Sequence, residues 1–231
     1  MTIFIKTYSN DLPWLEYCLA SIIKYASTIP VVIVADHQCK RTLEKWDLSG
    51  LNVTVHYCTP TYEGYLYQQE IKLRAFEYVK TNYVMFLDSD CMLTGPIDMD
   101  SLIIDSKPVV LMTPYEDIPE VMFWKDATDL ASGLNVEFEF MRRNGLVYRV
   151  DSLRNLWDAW SERFLPQLRN ARERRFSEFN LLGAWCYYNE NDRYEFINTR
   201  DSIPAHPVRQ FWSWGKITKQ VQDEMRQILN I

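Results

Sequence analysis

The stretch YVMFLDSDCMLTGPI, residues 83–97, opens as a strand and closes as a site. Tyr83 to Leu87 is the unbroken apolar run of a strand buried on both faces. It stops at two carboxylates one residue apart, Asp88 and Asp90, followed by Thr94, Gly95 and Pro96. Two like charges so close repel unless one is protonated or a cation lies between them. A hard divalent ion, Mg²⁺ or Mn²⁺, removes the repulsion and accepts phosphate oxygens as further ligands. The pair therefore implies a metal held against a diphosphate. The plainer alternative is that both carboxylates cap a turn, where Asp is at home.

Residues 2–7, VVIVAD at 31–36, NVTVHY at 52–57 and PVVLMT at 108–113 read as further strands. Between the first two, Leu15, Cys18, Leu19, Ile22, Ile23 and Ala26 recur at helical spacing. Asn10 or Asp11 is available there as N-cap, and Pro13 is tolerated in the first turn. Residues 65–80 predict a second helix. Strands alternating with helices imply βαβ units: an α/β fold with an open, mostly parallel sheet flanked by helices. Downstream, VEFEFMRRNGLVYRV suggests a strand, a turn at Asn144-Gly145 and another strand. Helices are expected at about 151–165 and 177–188, a short strand at 194–198, and an amphipathic helix at about 216–229. No linker is visible, so the chain reads as a single domain.

With 231 residues, 47% hydrophobic and 24% charged, the chain has the balance of an ordinary soluble enzyme. Its formal charge of -6 gives no overall sign of nucleic-acid binding. Five widely spaced cysteines, without a CxxC pair, read as reduced thiols rather than a zinc site or disulfide framework. No apolar run reaches the length of a membrane span, and Met1 leads straight into a strand. A cytoplasmic protein is the expectation.

Other enzymes follow a strand with paired aspartates. Haloacid-dehalogenase phosphatases use Asp-x-Asp-x-Thr/Val on the first strand, but here Met92 stands two after Asp90 and the pair comes late. Sugar nucleotidyltransferases want a Gly-rich loop after the first strand, and TYSNDLPW has no glycine. The opening strand with KTYSND, the second ending at Asp36, and the strand carrying FLDSD resemble, in that order, a glycosyltransferase of the GT-A fold. The resemblance is good over residues 2–115 and loose beyond. It implies a nucleotide-sugar-binding half at 1–115 and an acceptor-binding half at 116–231.

By that resemblance, Thr7, Tyr8 and Asp36 hold the nucleoside, where a carboxylate accepts hydrogen bonds from a base N–H or ribose hydroxyls. Gln69 and Lys72, on the helix before the aspartate strand, are candidate donor contacts, together with Asp88 and Ser89. Asp88, Asp90 and a third ligand from the C-terminal part, His206 in SIPAHPVRQFWSWG, would hold Mn²⁺ or Mg²⁺; His37 and His56 read as structural or peripheral. RFSEFNLLGAWCYY resembles the acceptor-side helix of such enzymes, with Ser177 as N-cap and Glu178 in the first turn as candidate base. Asp117, beside Glu116 in MTPYEDI, is the rival acid.

Residues 142–175 hold nine arginines against four acids, and RQFWSWGK adds Trp212 and Trp214. Such a surface suits an anionic acceptor, although a solvated helix face explains it equally. A glycan or lipid-linked saccharide is the first candidate acceptor, and hydroxylated bases in DNA the second. Two readings from other classes stand beside this one: a nucleotidyl- or phosphoryl-transfer enzyme using the same metal pair, and a non-catalytic nucleotide-sugar-binding protein.

Overall fold

Every residue of Thr2–Thr7 is buried because this strand lies in the middle of the main sheet. In the computed structural model, which describes residues 1–142, 145–170 and 175–231, it is β1. It is followed by α1 (Leu12–Ala26), β2 (Val31–Asp36), α2 (Lys40–Leu43), β3 (Val53–Cys58) and α3 (Gly64–Leu73). Then come β4 (Tyr83–Phe86), β5 (Cys91–Leu93), α4 (Met99–Leu102), β6 (Ile103–Ile104), β7 (Lys107–Pro114) and α5 (Met122–Ser132). The chain continues through β8 (Phe138–Glu139), β9 (Leu146–Arg149), α6 (Val150–Asn170), α7 (Glu178–Asn189), β10 (Glu195–Asn198), β11 (Val208–Gln210) and α8 (Lys219–Leu229).

The main sheet has the order β3-β2-β1-β4-β9. β1 pairs in parallel with both β2 and β4, while β9 closes the β4 edge antiparallel. Strand side chains alternate between faces. Ile3, Ile5, Val31, Ile33 and Met85 pack on one side against Leu15, Leu19 and Ile22 of α1. Phe4, Val32, Val34 and Phe86 pack on the other against α3, α6 and α7. Each fully buried Ile, Leu or Phe contributes roughly 1.5–3 kcal/mol, so this double coverage is what anchors the strand ends.

Three expectations need correction. The fifth strand, β7, does not join the main sheet. Because β9 occupies the β4 edge, β7 builds a separate sheet of order β10-β7-β6, with β8 on it. Second, β8 and β9 are not a hairpin, since β8 pairs with β7 and β9 with β4. The expected turn between them falls partly on Asn144, outside the described residues, while Gly145 has φ +73°. Third, the second helix ends at Leu73, and the chain reaches β4 through a 3₁₀ turn at Ala75–Glu77. Among the described residues no helix is long and apolar enough to cross a membrane.

Candidate active site at the carboxyl ends of the strands

The connection from β1 leads to β2 on one side, and the later crossover brings β4 in on the other. The carboxyl ends of β1 and β4 thus flank the topological switch point, where open α/β sheets bind ligands. At the end of β1, Lys6 shares the face of Phe4 and is almost fully buried. Its ammonium donates to Asp36 Oδ1 at 2.6 Å and to the Thr7 carbonyl at 2.7 Å. The Cys58 thiol contacts the same Asp36 oxygen. Thr7 is 1% exposed, and its Oγ1 has no hydrogen-bond partner. Tyr8, the next residue, is exposed.

The turn after β4 is closed by the Cys91 amide donating to the Asp88 carbonyl at 3.0 Å. It sends its three side chains in different directions. Asp88 Oδ1 accepts from Lys72 Nζ at 2.7 Å. Ser89, buried, spends its hydroxyl on Asp11 Oδ2 at 3.0 Å. Asp90 Oδ2 accepts from the Ser213 amide at 2.8 Å and Oδ1 from Gln210 Nε2 at 3.4 Å, while its carbonyl accepts from the Phe211 amide. Asp90 therefore anchors the loop that follows β11.

Burial first, and the charge of Asp88 second, push the Asp90 carboxyl up to about 6, against the opposing Ser213 amide bond. Asp11 is raised too, by burial and then Asp88, with bonds from Ser89 and Ser213 opposing. An acid raised in the folded state contributes stability below its unfolded pKa of 3.8, and that stability is lost as pH rises through about 6. Ionised Asp90 thus costs up to about 3 kcal/mol at neutral pH. Asp90→Asn, measured by thermal melts in chelator, is expected to gain several degrees at pH 7.5. The gain should fall to a small fraction near pH 4 and vanish by about pH 3; an equal gain at pH 7.5 and pH 4 would refute the burial of that charge.

The third component comes from α3 and α7. Ser177 caps α7 by accepting from the Asn180 amide at 3.2 Å, which fixes Glu178 at its first turn. The Glu178 amide donates to Gln69 Oε1 at 3.1 Å, and Glu178 Oε1 accepts from Lys72 Nζ at 2.8 Å. Lys72 is 5% exposed and Glu178 6%. Burial alone would lower the Lys72 pKa, but the carboxylates of Asp88 and Glu178 outweigh it and hold the ammonium charged. The ammonium also sits 4.8 Å from the centre of the Phe179 ring. Gln69 is 1% exposed, and its Nε2 donor has no partner. Gln69 and Lys72 of α3, Asp88 after β4 and Glu178 of α7 are thus brought together from three segments.

Two expected residues are not brought into that cluster. β11 pairs antiparallel with β5, Val208 opposite Leu93 and Gln210 opposite Cys91. This register carries Gln210 to Asp90 and leaves His206 at the other end of the paired strands, beside Gly145, Met85 and Val208. Asp117 lies on the turn Tyr115–Asp117 after β7, where Arg200 donates to its carboxylate at 2.6 and 2.7 Å and to Glu116 at 2.5 Å. The bonds from Arg200 hold Asp117 below the usual carboxylate range, on the turn after β7 and outside the Lys72 cluster.

The side chains at the end of β4 suit a divalent ion. Their donor set is made of hard oxygens: the charge of Asp88 raises the cost of ionising both Asp11 and Asp90, and the Lys72 ammonium is bonded to Asp88. That excess suits a cation. Among the described residues no three His, Cys, Asp or Glu side chains already surround a common point. The aspartates would therefore fill part of a coordination shell, leaving the rest to ligand oxygens and water.

Residues missed by sequence reasoning include Lys6, Asp11, Gln210 and Ser213. Lys6 had a readable signal, because a lysine inside an apolar strand needs a carboxylate at the same level of the next strand. The arginine-rich stretch is less open than its composition suggests. Arg142 pairs with Glu139, Arg149 with Asp151 and Arg169 with Glu70, and Arg163 donates to the Ser132 carbonyl. Arg143, Arg172 and Arg174 lie outside the described residues. A groove of about 340 Å³ lined by Phe76, Lys80, Asn82, Arg149 and Arg154 lies at the amino end of β4 and shares no residue with the cluster.

The mostly parallel sheet flanked by helices is that of an α/β protein of the GT-A fold. The crystal structure of S. aureus TarS is similar, with a TM-score of 0.52 and 20% sequence identity, covering 85% of this chain and 35% of that one. The chain thus spans about a third of TarS, and the likeness is one of fold. Residues 5–142 match the model of DUF6492, a family of unknown function, and the chain belongs to that family. No curated protein matches the sequence.

Proposed function

We propose that the protein is a glycosyltransferase that moves a sugar from a nucleotide-sugar donor to an acceptor hydroxyl. The observation that carries this reading is the Lys72 bridge, which fixes Asp88, at the donor end of β4, and Glu178, at the head of α7, around one buried ammonium. The GT-A fold supports it.

Thr7 and the Lys6–Asp36 pair would receive the nucleoside, with the Thr7 hydroxyl completing its bonding on the ligand. The Gln69 Nε2 donor faces the same need, which a phosphate or sugar oxygen meets. Asp88 and Asp90 would hold Mn²⁺ or Mg²⁺, which supplies Lewis-acid stabilisation to the diphosphate as it leaves. Glu178 takes the proton of the acceptor hydroxyl while that oxygen bonds to the anomeric carbon. The bond from the anomeric carbon to phosphate breaks, and the nucleoside diphosphate carries away the electron pair. Trp212 and Trp214, exposed on the loop anchored by Asp90, offer faces for stacking a sugar ring. A glycan or lipid-linked saccharide is accordingly the first acceptor class, ahead of hydroxylated DNA bases.

The deciding experiment is a thermal-shift and calorimetric screen of nucleotide sugars, with Mn²⁺ or chelator, on wild type and Asp88→Asn. Ligand at a hundredfold excess over Kd stabilises by about 2.7 kcal/mol, a shift of roughly 5–10 °C for a chain of this size. One nucleotide sugar is expected to give a Mn²⁺-dependent shift that Asp88→Asn loses. A response to nucleoside triphosphates and to no nucleotide sugar would replace this reading with nucleotidyl or phosphoryl transfer.

A further inference from the structure

Lys72 does more than fill a gap between two acids. One ammonium, with three donors, is spent on Asp88 Oδ1 at 2.7 Å and on Glu178 Oε1 at 2.8 Å. Its backbone is fixed, since α3 is capped at its start by Glu63 accepting from the Leu66 amide and packs through Leu66, Ile71 and Leu73 into the core. Its four-carbon stem is the adjustable part. The Phe179 ring, beside Glu178 in sequence, supports the cation on the α7 side. A single positive charge shared by the buried Glu178 and the partly exposed Asp88 satisfies neither fully, and any cation arriving at Asp88 from the open side repels the ammonium from it.

We propose that Lys72 is a positioning residue that couples the two halves of the site. In the empty protein it competes for Asp88; when a divalent ion takes Asp88, the ammonium passes to Glu178 and the Phe179 ring. Filling the donor side thereby resets the acceptor-side carboxylate. This rests on the reading of Asp88 as a metal-side residue under the proposed function.

The test is a double-mutant cycle read as the Kd of Mn²⁺ alone, by calorimetry and by the spin resonance of free Mn²⁺. The proteins are wild type, Lys72→Met, Glu178→Gln and the double variant. Lys72→Gln, which keeps a hydrogen-bond donor, repeats the measurement should Lys72→Met fold poorly. Removing the internal competitor should tighten Mn²⁺ about tenfold, the ratio that 1.4 kcal/mol gives. Glu178→Gln leaves the ammonium on Asp88 and should weaken Mn²⁺ in the wild-type background. That weakening should vanish once Lys72 is Met, because its route through the ammonium is gone.

If wild type binds Mn²⁺ and the Lys72 variants bind it equally or more weakly, the coupling is refuted and the metal reading stands. Persistence of the Glu178→Gln effect without Lys72 also overturns it, since the effect would then be direct. No Mn²⁺ binding in any of the four proteins overturns the coupling and the metal assignment together, while nucleotide-sugar binding is judged by its own shift.

Discussion

Gly183→Ala is expected to cost about 3 kcal/mol of stability, at the top of the usual range for overpacking a core. Helix propensity alone says the opposite, since Ala for Gly in a helix interior gains about 1 kcal/mol. Packing decides the sign. A Cβ on Gly183 would lie 2.3 Å from Phe140 Cγ and 2.4 Å from Phe140 Cβ. Phe140 has nowhere to move: it is fully buried, its ring meets Tyr187 and Phe196, and its amide donates to Asn180 Oδ1 at 2.8 Å. That last bond ties the obstructing residue to the helix that carries Gly183. Urea unfolding gives the measurement, and Gly64→Ala is the control, because nothing lies within 4 Å of a Cβ there. If Gly183→Ala is as stable as Gly64→Ala, the docking of α7 on the segment around Phe140 is wrong, and with it the position of Glu178.

The parts of the fold legible in the sequence are those where one interaction dominates. β1, β2 and β4 are buried on both faces, so their apolar runs show as runs, and Asp36 and Asp88 mark their ends. α7 was legible from Ser177 and Glu178, because capping is local chemistry. α5 was not: the residues it buries are Thr128, Ala131 and Ser132, which leave no apolar stripe to count. Its only sign was Gly133, whose φ of +74° ends the helix. β11 has three residues, too few for any period, and its place is set by pairing with β5. That explains the third-ligand expectation. The choice of His206 followed residue type, whereas the register of a short strand determines which side chain reaches Asp90, and it delivers Gln210. Lys72 shows the same limit, since a helical lysine reads as solvated until two carboxylates from other segments close over it.

Glu178→Gln is expected to lower the rate of sugar transfer by 10² to 10⁴, the usual contribution of a positioned general base. The substitution keeps an oxygen to accept from Lys72 and leaves the backbone amide on Gln69, so the head of α7 holds its place. What it removes is the ability to take a proton. The loss should therefore fall on kcat, measured with donor and metal saturating, as for an interaction made only in the transition state. Asp117→Asn is the comparison. That carboxylate is exposed and lies on the turn after β7, outside the Lys72 cluster, so its loss should change kcat by less than about twofold, as surface substitutions clear of the reacting atoms do. Full turnover in Glu178→Gln, with a large loss in Asp117→Asn, would reverse the two roles. The proton acceptor would then lie at the end of β7, and the Lys72 bridge would be a device for holding α7 rather than part of the chemistry.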